Sequence, residues 1–95
     1  MNITQTEEVS GTYRQGTITT NFKRLVYKLG EPHMVGGDKT TAEWAFKTDD
    51  GTVFTIYDYY TISTPKETWD WHIGGFSPAA IEAVKALFPE TKVTR

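Results

Sequence analysis

The sequence predicts an α+β domain, a small antiparallel sheet of three to four strands with two helices packed on one face. Three observations carry that expectation. Phe22, Leu25, Val26 and Leu29 recur at helical spacing, and so do Ile81, Val84, Leu87 and Phe88. Between these stretches lie three runs rich in aromatic and β-branched residues, the last alternating as Trp69, Trp71 and Ile73 against Asp70 and His72. The first two of these runs meet at Asp49-Asp50-Gly51, a hairpin signal.

Taken in order, residues 1–10 are polar and aperiodic, which predicts a flexible N-terminal arm before a single domain over 11–95. Gly11 to Thr20 is rich in Thr, Tyr and Ile but broken by Gly11 and Gly16, so a short or bulged strand, or an ordered turn, is expected. Asn21 can cap a first helix over 21–29, and Gly30 followed by Pro32 stops it. Residues 31–41, which include Gly36-Gly37-Asp38, lead into strands at about 42–48 and about 52–60. A three-residue loop with glycine at positive φ pairs Phe46 with Phe54 and Trp44 with Ile56 on one apolar face. Glu43, Lys47, Val53, Thr55 and Tyr57 then share the other face. A two-residue loop would pair Trp44 with Tyr57 and mix the faces, so the longer loop is preferred. A loop over 61–68 precedes the third strand, which Gly74-Gly75 ends. Ser77 before Pro78 marks the start of a second helix, closed by Pro89.

Ten basic against twelve acidic side chains leave a net charge of −2, too small for a strong electrostatic hold on duplex nucleic acid. The absence of cysteine excludes a disulfide scaffold, thiol chemistry and Cys-bound zinc or iron–sulfur centres. No apolar run approaches membrane-spanning length, and Met1-Asn2-Ile3-Thr4-Gln5 lacks the charged and apolar regions of a signal peptide. A soluble cytosolic protein with no membrane partner is expected.

Catalytic patterns are scarce. The two histidines, His33 and His72, stand far apart, whereas metal hydrolysis usually needs three or more clustered ligands. Asp70 and His72 share a strand face and could form a metal or acid–base pair, and His72 with Asp70 or Asp58 could serve a small phosphodiesterase. An exposed polar sheet face accounts for the same residues. No nucleophile elbow, Walker loop, dinucleotide fingerprint or paired His-x-Ser/Thr motif is present. A non-enzyme without metal or cofactor is therefore expected.

Binding chemistry is better represented. Residues 36–41 offer backbone amides, the Lys39 ammonium and the hydroxyls of Thr40 and Thr41, a set suited to phosphate. Gly74 and Gly75 lead towards a helix start, where unpaired amides attract anions. Both runs also read as ordinary turn chemistry, and the hairpin places them at opposite ends of the sheet, so that one phosphate could reach both only between two protomers. Tyr57, Tyr59, Tyr60, Trp69 and Trp71 cluster around the 61–68 loop. Trp69 and Trp71 are expected to face the core. Tyr57 falls on the polar face with Lys47 and His72, where a ring can stack on a nucleobase. Arg14 could add a guanidinium, although no spacing ties it to that face.

Gly16-Thr17-Ile18, Leu25-Val26, Leu29-Gly30-Glu31-Pro32, Lys39-Thr40-Thr41-Ala42-Glu43-Trp44, Asp50-Gly51-Thr52-Val53, Thr55-Ile56-Tyr57-Asp58-Tyr59 and Trp71-His72-Ile73-Gly74-Gly75 together cover most of residues 11–88. This pattern resembles small phage-encoded proteins, with Trp-His-Ile-Gly-Gly its most distinctive segment, and through them the viral anti-CBASS sponge proteins. The resemblance implies immune evasion in the host cytoplasm by binding cyclic di- or oligonucleotide signals without cleaving them. For such a ligand the residues point to Lys39 pairing with phosphate, Thr40 and Thr41 supplying hydroxyls, Tyr57 stacking, His72 hydrogen-bonding, and the Gly74 and Gly75 amides taking an anionic oxygen. A homo-oligomer would suit a two-fold-like ligand. The alternative is a protein-binding inhibitor of a host defence or other host protein, using the same sheet face or a strand edge.

Overall fold

The computed structural model describes residues 2–34, 40–59, 61 and 63–95. Eight elements follow in the order β1 (Ile3–Gln5), β2 (Tyr13–Thr20), α1 (Phe22–Leu29), β3 (Glu43–Thr48), β4 (Val53–Tyr57), β5 (Trp69–Gly75), α2 (Ala79–Leu87) and β6 (Lys92–Thr94). The strands form one six-stranded sheet in the order β1-β3-β4-β5-β2-β6, and each pairing is antiparallel. The α+β class with two helices is as expected; the sheet is larger than three to four strands. The two additional strands, β1 and β6, are three residues each, too short to show a period of two.

The central hairpin adopts the expected register. Phe46 lies opposite Phe54 and Trp44 opposite Ile56, and Gly51 takes φ 91° in the three-residue loop. Such a φ is open to glycine at little steric cost. The apolar faces of β3, β4, β5 and β2 thus point the same way, and both helices cover them. Trp44, Phe54, Ile56, Trp71, Ile73 and Ile18 are buried there with Leu25 of α1 and Ile81 and Val84 of α2. The two core indoles keep their N–H groups satisfied: Trp44 Nε1 donates to the Gly30 carbonyl at 2.7 Å and Trp71 Nε1 to the Thr20 carbonyl at 3.1 Å. Their rings meet edge to face at 5.7 Å, with Phe22 of α1 against both. Close approach of α2 depends on missing side chains. A Cβ on Gly16 would lie 2.1 Å from the Thr94 carbonyl oxygen and 2.7 Å from Ile81, and one on Gly75 would lie 2.4 Å from Ala80.

Helix boundaries follow their caps. Asn21 Oδ1 accepts from the Arg24 amide at 2.8 Å, and Gly30 at φ 82° ends α1. Before α2, Ser77 Oγ accepts from the Ala79 amide at 3.3 Å, the satisfaction of a free helix amide expected of it.

Two expectations need correction. Part of the arm expected to be loose is strand, since Ile3, Thr4 and Gln5 pair with Thr48, Lys47 and Phe46. From there the chain must pass β3, β4 and β5 to reach β2, and on the way the Thr6 amide donates to the Ala45 carbonyl while Glu8 bridges Lys47 at 2.8 Å. Trp69, expected in the core, is 43 % exposed. It opens β5 opposite Thr20, at the end of the ladder. His33 has a structural position, its Nε2 lying 2.9 Å from the Ala45 carbonyl and its ring edge-on to Phe46. Among the described residues, no helix is long and apolar enough to cross a membrane.

Candidate functional site

The sheet face away from the helices is organised in rows. Glu43, Tyr57, His72 and Thr17 stand opposite one another across β3, β4, β5 and β2. The next row is Ala45, Thr55, Gly74 and Arg14. A row in which three of the four side chains are large thus stands beside a row in which three of the four are small. Beyond the small row, the crossing chain returns at Thr12 and Tyr13. The result is a groove of about 210 Å³ lined by Thr12, Tyr13, Thr40, Glu43, Thr55, Tyr57, Tyr59 and Gly74. Its floor depends on Gly74, because a Cβ there would fall 2.4 Å from Thr55 Oγ1.

One wall is aromatic. His72 meets Tyr57 edge-on at 5.4 Å and stacks on Tyr59 at 4.9 Å and 25°, while Tyr57 and Tyr59 are themselves 6.5 Å apart. Burial, then the Arg14 charge, lowers the His72 pKa against an opposing pull from Asp70, so the neutral imidazole is favoured. Burial, with the Glu43 charge behind it, raises the Tyr57 phenol. Burial, then the Asp58 charge, also raises the Glu43 carboxyl. Arg14 therefore belongs to this face through its place opposite Gly74, a link that sequence spacing does not supply.

The mouth of the groove is held by Asp58, whose side chain is buried. Its Oδ1 accepts from the Thr41 and Ala42 amides at 2.8 and 3.0 Å, and its Oδ2 accepts from the hydroxyls of Thr41 and Thr61. The Thr41 hydroxyl in turn meets that of Thr64 at 2.7 Å. Burial would raise the Asp58 pKa, but these donors outweigh it and the pKa is lowered. One carboxylate thereby ties the segment entering β3 to the segment leaving β4 and fixes the position of Thr40. The Thr40 Oγ1 is buried and has no hydrogen-bond partner among the described residues.

Of the residues expected to bind a ligand, Thr40, Tyr57 and Gly74 line this groove, and His72 backs its aromatic wall. Thr41 is engaged with Asp58. Gly75 faces Ala80 of α2 on the opposite side of the sheet. Both glycines lie inside β5 between β4 and β2, so they sit within the ladder instead of at an open helix mouth. Lys39 lies outside the described residues. Gly36 and Gly37, expected at the opposite end of the sheet from Gly74 and Gly75, also lie outside the described residues, while Thr40 from the same run shares the groove with Gly74. Glu43, Thr55, Thr12 and Tyr13 join the site without having been expected as ligand contacts, and Tyr59 joins it from the aromatic cluster read in the sequence. Asp70, a candidate partner of His72, accepts from Thr19 at 2.6 Å, and Asp58 is taken up by its four donors. No group of three or more potential metal ligands occurs among the described residues.

A larger hollow of about 370 Å³ runs along α1, lined by Asn21, Lys23, Arg24, Tyr27 and Lys28. Apart from the Asn21 cap, its walls are side chains on the outer side of a single helix. The sheet groove instead draws its lining from four stretches of chain, at 12–13, 40–43, 55–59 and 74, the convergence that characterises ligand sites. Comparison with protein families, with characterised proteins and with solved structures finds no match for this chain.

Proposed function

We propose that this protein captures a cyclic di- or oligonucleotide on the open face of its sheet and holds it intact, as a sponge that withholds a host immune signal. The observation that carries the reading is the ring wall of Tyr57, Tyr59 and His72 beside a groove floored by Thr55 and Gly74. Rings stack on any base, at about 1–3 kcal/mol per base. Arg14 adds a guanidinium next to this wall, suited to bidentate phosphate contact. The resemblance of the Trp71-His72-Ile73-Gly74-Gly75 segment to phage sponge proteins supplies the class of ligand.

The groove is smaller than the roughly 300–1,000 Å³ usual for a drug-sized ligand, so one protomer would receive one base. A cyclic dinucleotide would then be shared between two symmetry-related grooves. Thermal denaturation against a panel of cyclic di- and trinucleotides, with the recovered ligand weighed by mass spectrometry, tests the reading. Ligand at 100 times its dissociation constant stabilises by about 2.7 kcal/mol. A raised Tm with unchanged ligand is expected. A changed ligand would make the protein an enzyme, and the absence of any shift would redirect attention to a protein target.

A further inference from the structure

Resting on the reading that the groove receives a nucleobase, we propose that it selects guanine, whose paired N–H donors the Glu43 carboxylate accepts. Around the groove, the polar groups are hydroxyls, on Thr12, Thr40, Thr55 and the tyrosines, together with this single carboxylate. Hydroxyls adapt to donor or acceptor, whereas an ionised carboxylate only accepts. The base edge that Glu43 favours is therefore one with two adjacent donors.

Guanine presents such an edge. Its N1–H and exocyclic N2–H lie side by side, and the O6 acceptor follows next to N1. Adenine offers N6–H beside the lone pair of N1, and cytosine offers N4–H beside the lone pair of N3. Each would set an acceptor against a carboxylate oxygen. The remaining guanine position, O6, needs a donor, and the Thr40 hydroxyl in the same groove is buried and unpartnered among the described residues. Thr40 and Glu43 together thus supply one donor and two acceptors, the complement of the guanine edge.

The surroundings of Glu43 support this assignment independently. Glu43 is half-buried directly opposite Tyr57, so its carboxylate projects from the same row as the stacking ring. Among the described residues its carboxylate makes no hydrogen bond or ion pair, while its backbone carbonyl accepts from the Met34 amide at 3.1 Å. Burial and the Asp58 charge both disfavour its ionised form, and a pair of N–H donors relieves that penalty.

Calorimetric titration with cyclic di-GMP, cyclic di-AMP and cyclic di-IMP tests the proposal on the wild-type protein and on Glu43→Gln. A good bidentate contact separates right from wrong base by about five- to 150-fold. Wild type is expected to bind the guanine ligand about fivefold or more tighter than the adenine ligand. The hypoxanthine ligand, which lacks the N2 donor, should fall between them. In Glu43→Gln, where one oxygen becomes a donor, the guanine preference should collapse towards unity with Tm unchanged in the absence of ligand. Equal or tighter adenine binding by wild type, or an equal loss for both ligands in Glu43→Gln, would overturn guanine selection and leave nucleotide capture standing. Failure of all three ligands to bind, with no response to the wider nucleotide panel, would overturn both.

Discussion

The two faces of this sheet use the same strands for opposite purposes. On the helix-covered face, Trp44, Trp71, Phe54 and Ile56 are buried, and both indole N–H groups end on backbone carbonyls. On the open face, the side chains one position along the same strands are Glu43, Thr55 and Tyr57, which line a groove, and His72, which backs it; Glu43, Tyr57 and His72 carry shifted proton affinities. Neighbouring residues in the chain therefore answer to different demands. The covered face is close-packed, and changes there cost stability. The open face includes the Thr40 hydroxyl and the Glu43 carboxylate, which have no hydrogen-bond partner among the described residues, and changes there should cost binding.

Mutations at chain neighbours test the division most strongly. Trp71→Ala should lower stability by about 3–5 kcal/mol, from the lost ring and the cavity it leaves, read by denaturant unfolding. His72→Ala, one residue away, should leave the unfolding midpoint nearly in place while weakening nucleotide binding. An unfolding loss at His72 as large as that at Trp71 would erase the distinction.

The glycines sharpen the comparison at smaller amplitude. Gly16→Ala drives a Cβ into the Thr94 backbone and Ile81, and overpacking of this kind costs about 1–3 kcal/mol. Gly74→Ala meets the end of the Thr55 side chain and fills the groove floor, so its larger effect should appear in calorimetric affinity. If Gly74→Ala binds as well as wild type, the groove is not where the ligand sits.

Acid unfolding offers two weaker but separable signals. Asp58 has a lowered pKa in the fold, so it stabilises the protein above its unfolded value of about 3.9, and that contribution is lost as pH falls through the folded value. Asp58→Asn should cost about 1 kcal/mol at neutral pH and flatten the unfolding curve below about pH 4. His72 is also lowered, so the unfolded chain takes up its proton first. Stability should begin to fall as pH drops below about 6.5, and His72→Ala should remove that small slope.

The hairpin and both helices were legible because several signals agreed. The apolar spacing of Trp44, Phe46, Phe54 and Ile56 and the glycine at 51 all select one register. β1 and β6 were not legible, since three residues hold no periodic pattern and each strand exists through its partner. Trp69 fits the alternation yet lies at the ladder's end, where burial depends on how far the helices reach. The site was legible in part. Tyr57 and His72 follow from face assignment, and Gly74 lines the groove through its missing side chain instead of its amide. Asp58 could not be recognised, because its four donors come from Thr41, Ala42 and Thr61, brought together only by the fold. Glu43 reads as one more polar residue on a strand until the row of Tyr57 and His72 and the small floor beside it are in place.

The central claim is that ligand binds the open face, and amide chemical-shift mapping by NMR during titration with a cyclic dinucleotide tests it most directly. The account predicts that shifts concentrate at Thr40, Glu43, Thr55, Tyr57, His72 and Gly74. Shifts confined to the outer side of α1, at Lys23, Arg24, Tyr27 and Lys28, would place binding in the other hollow and contradict it.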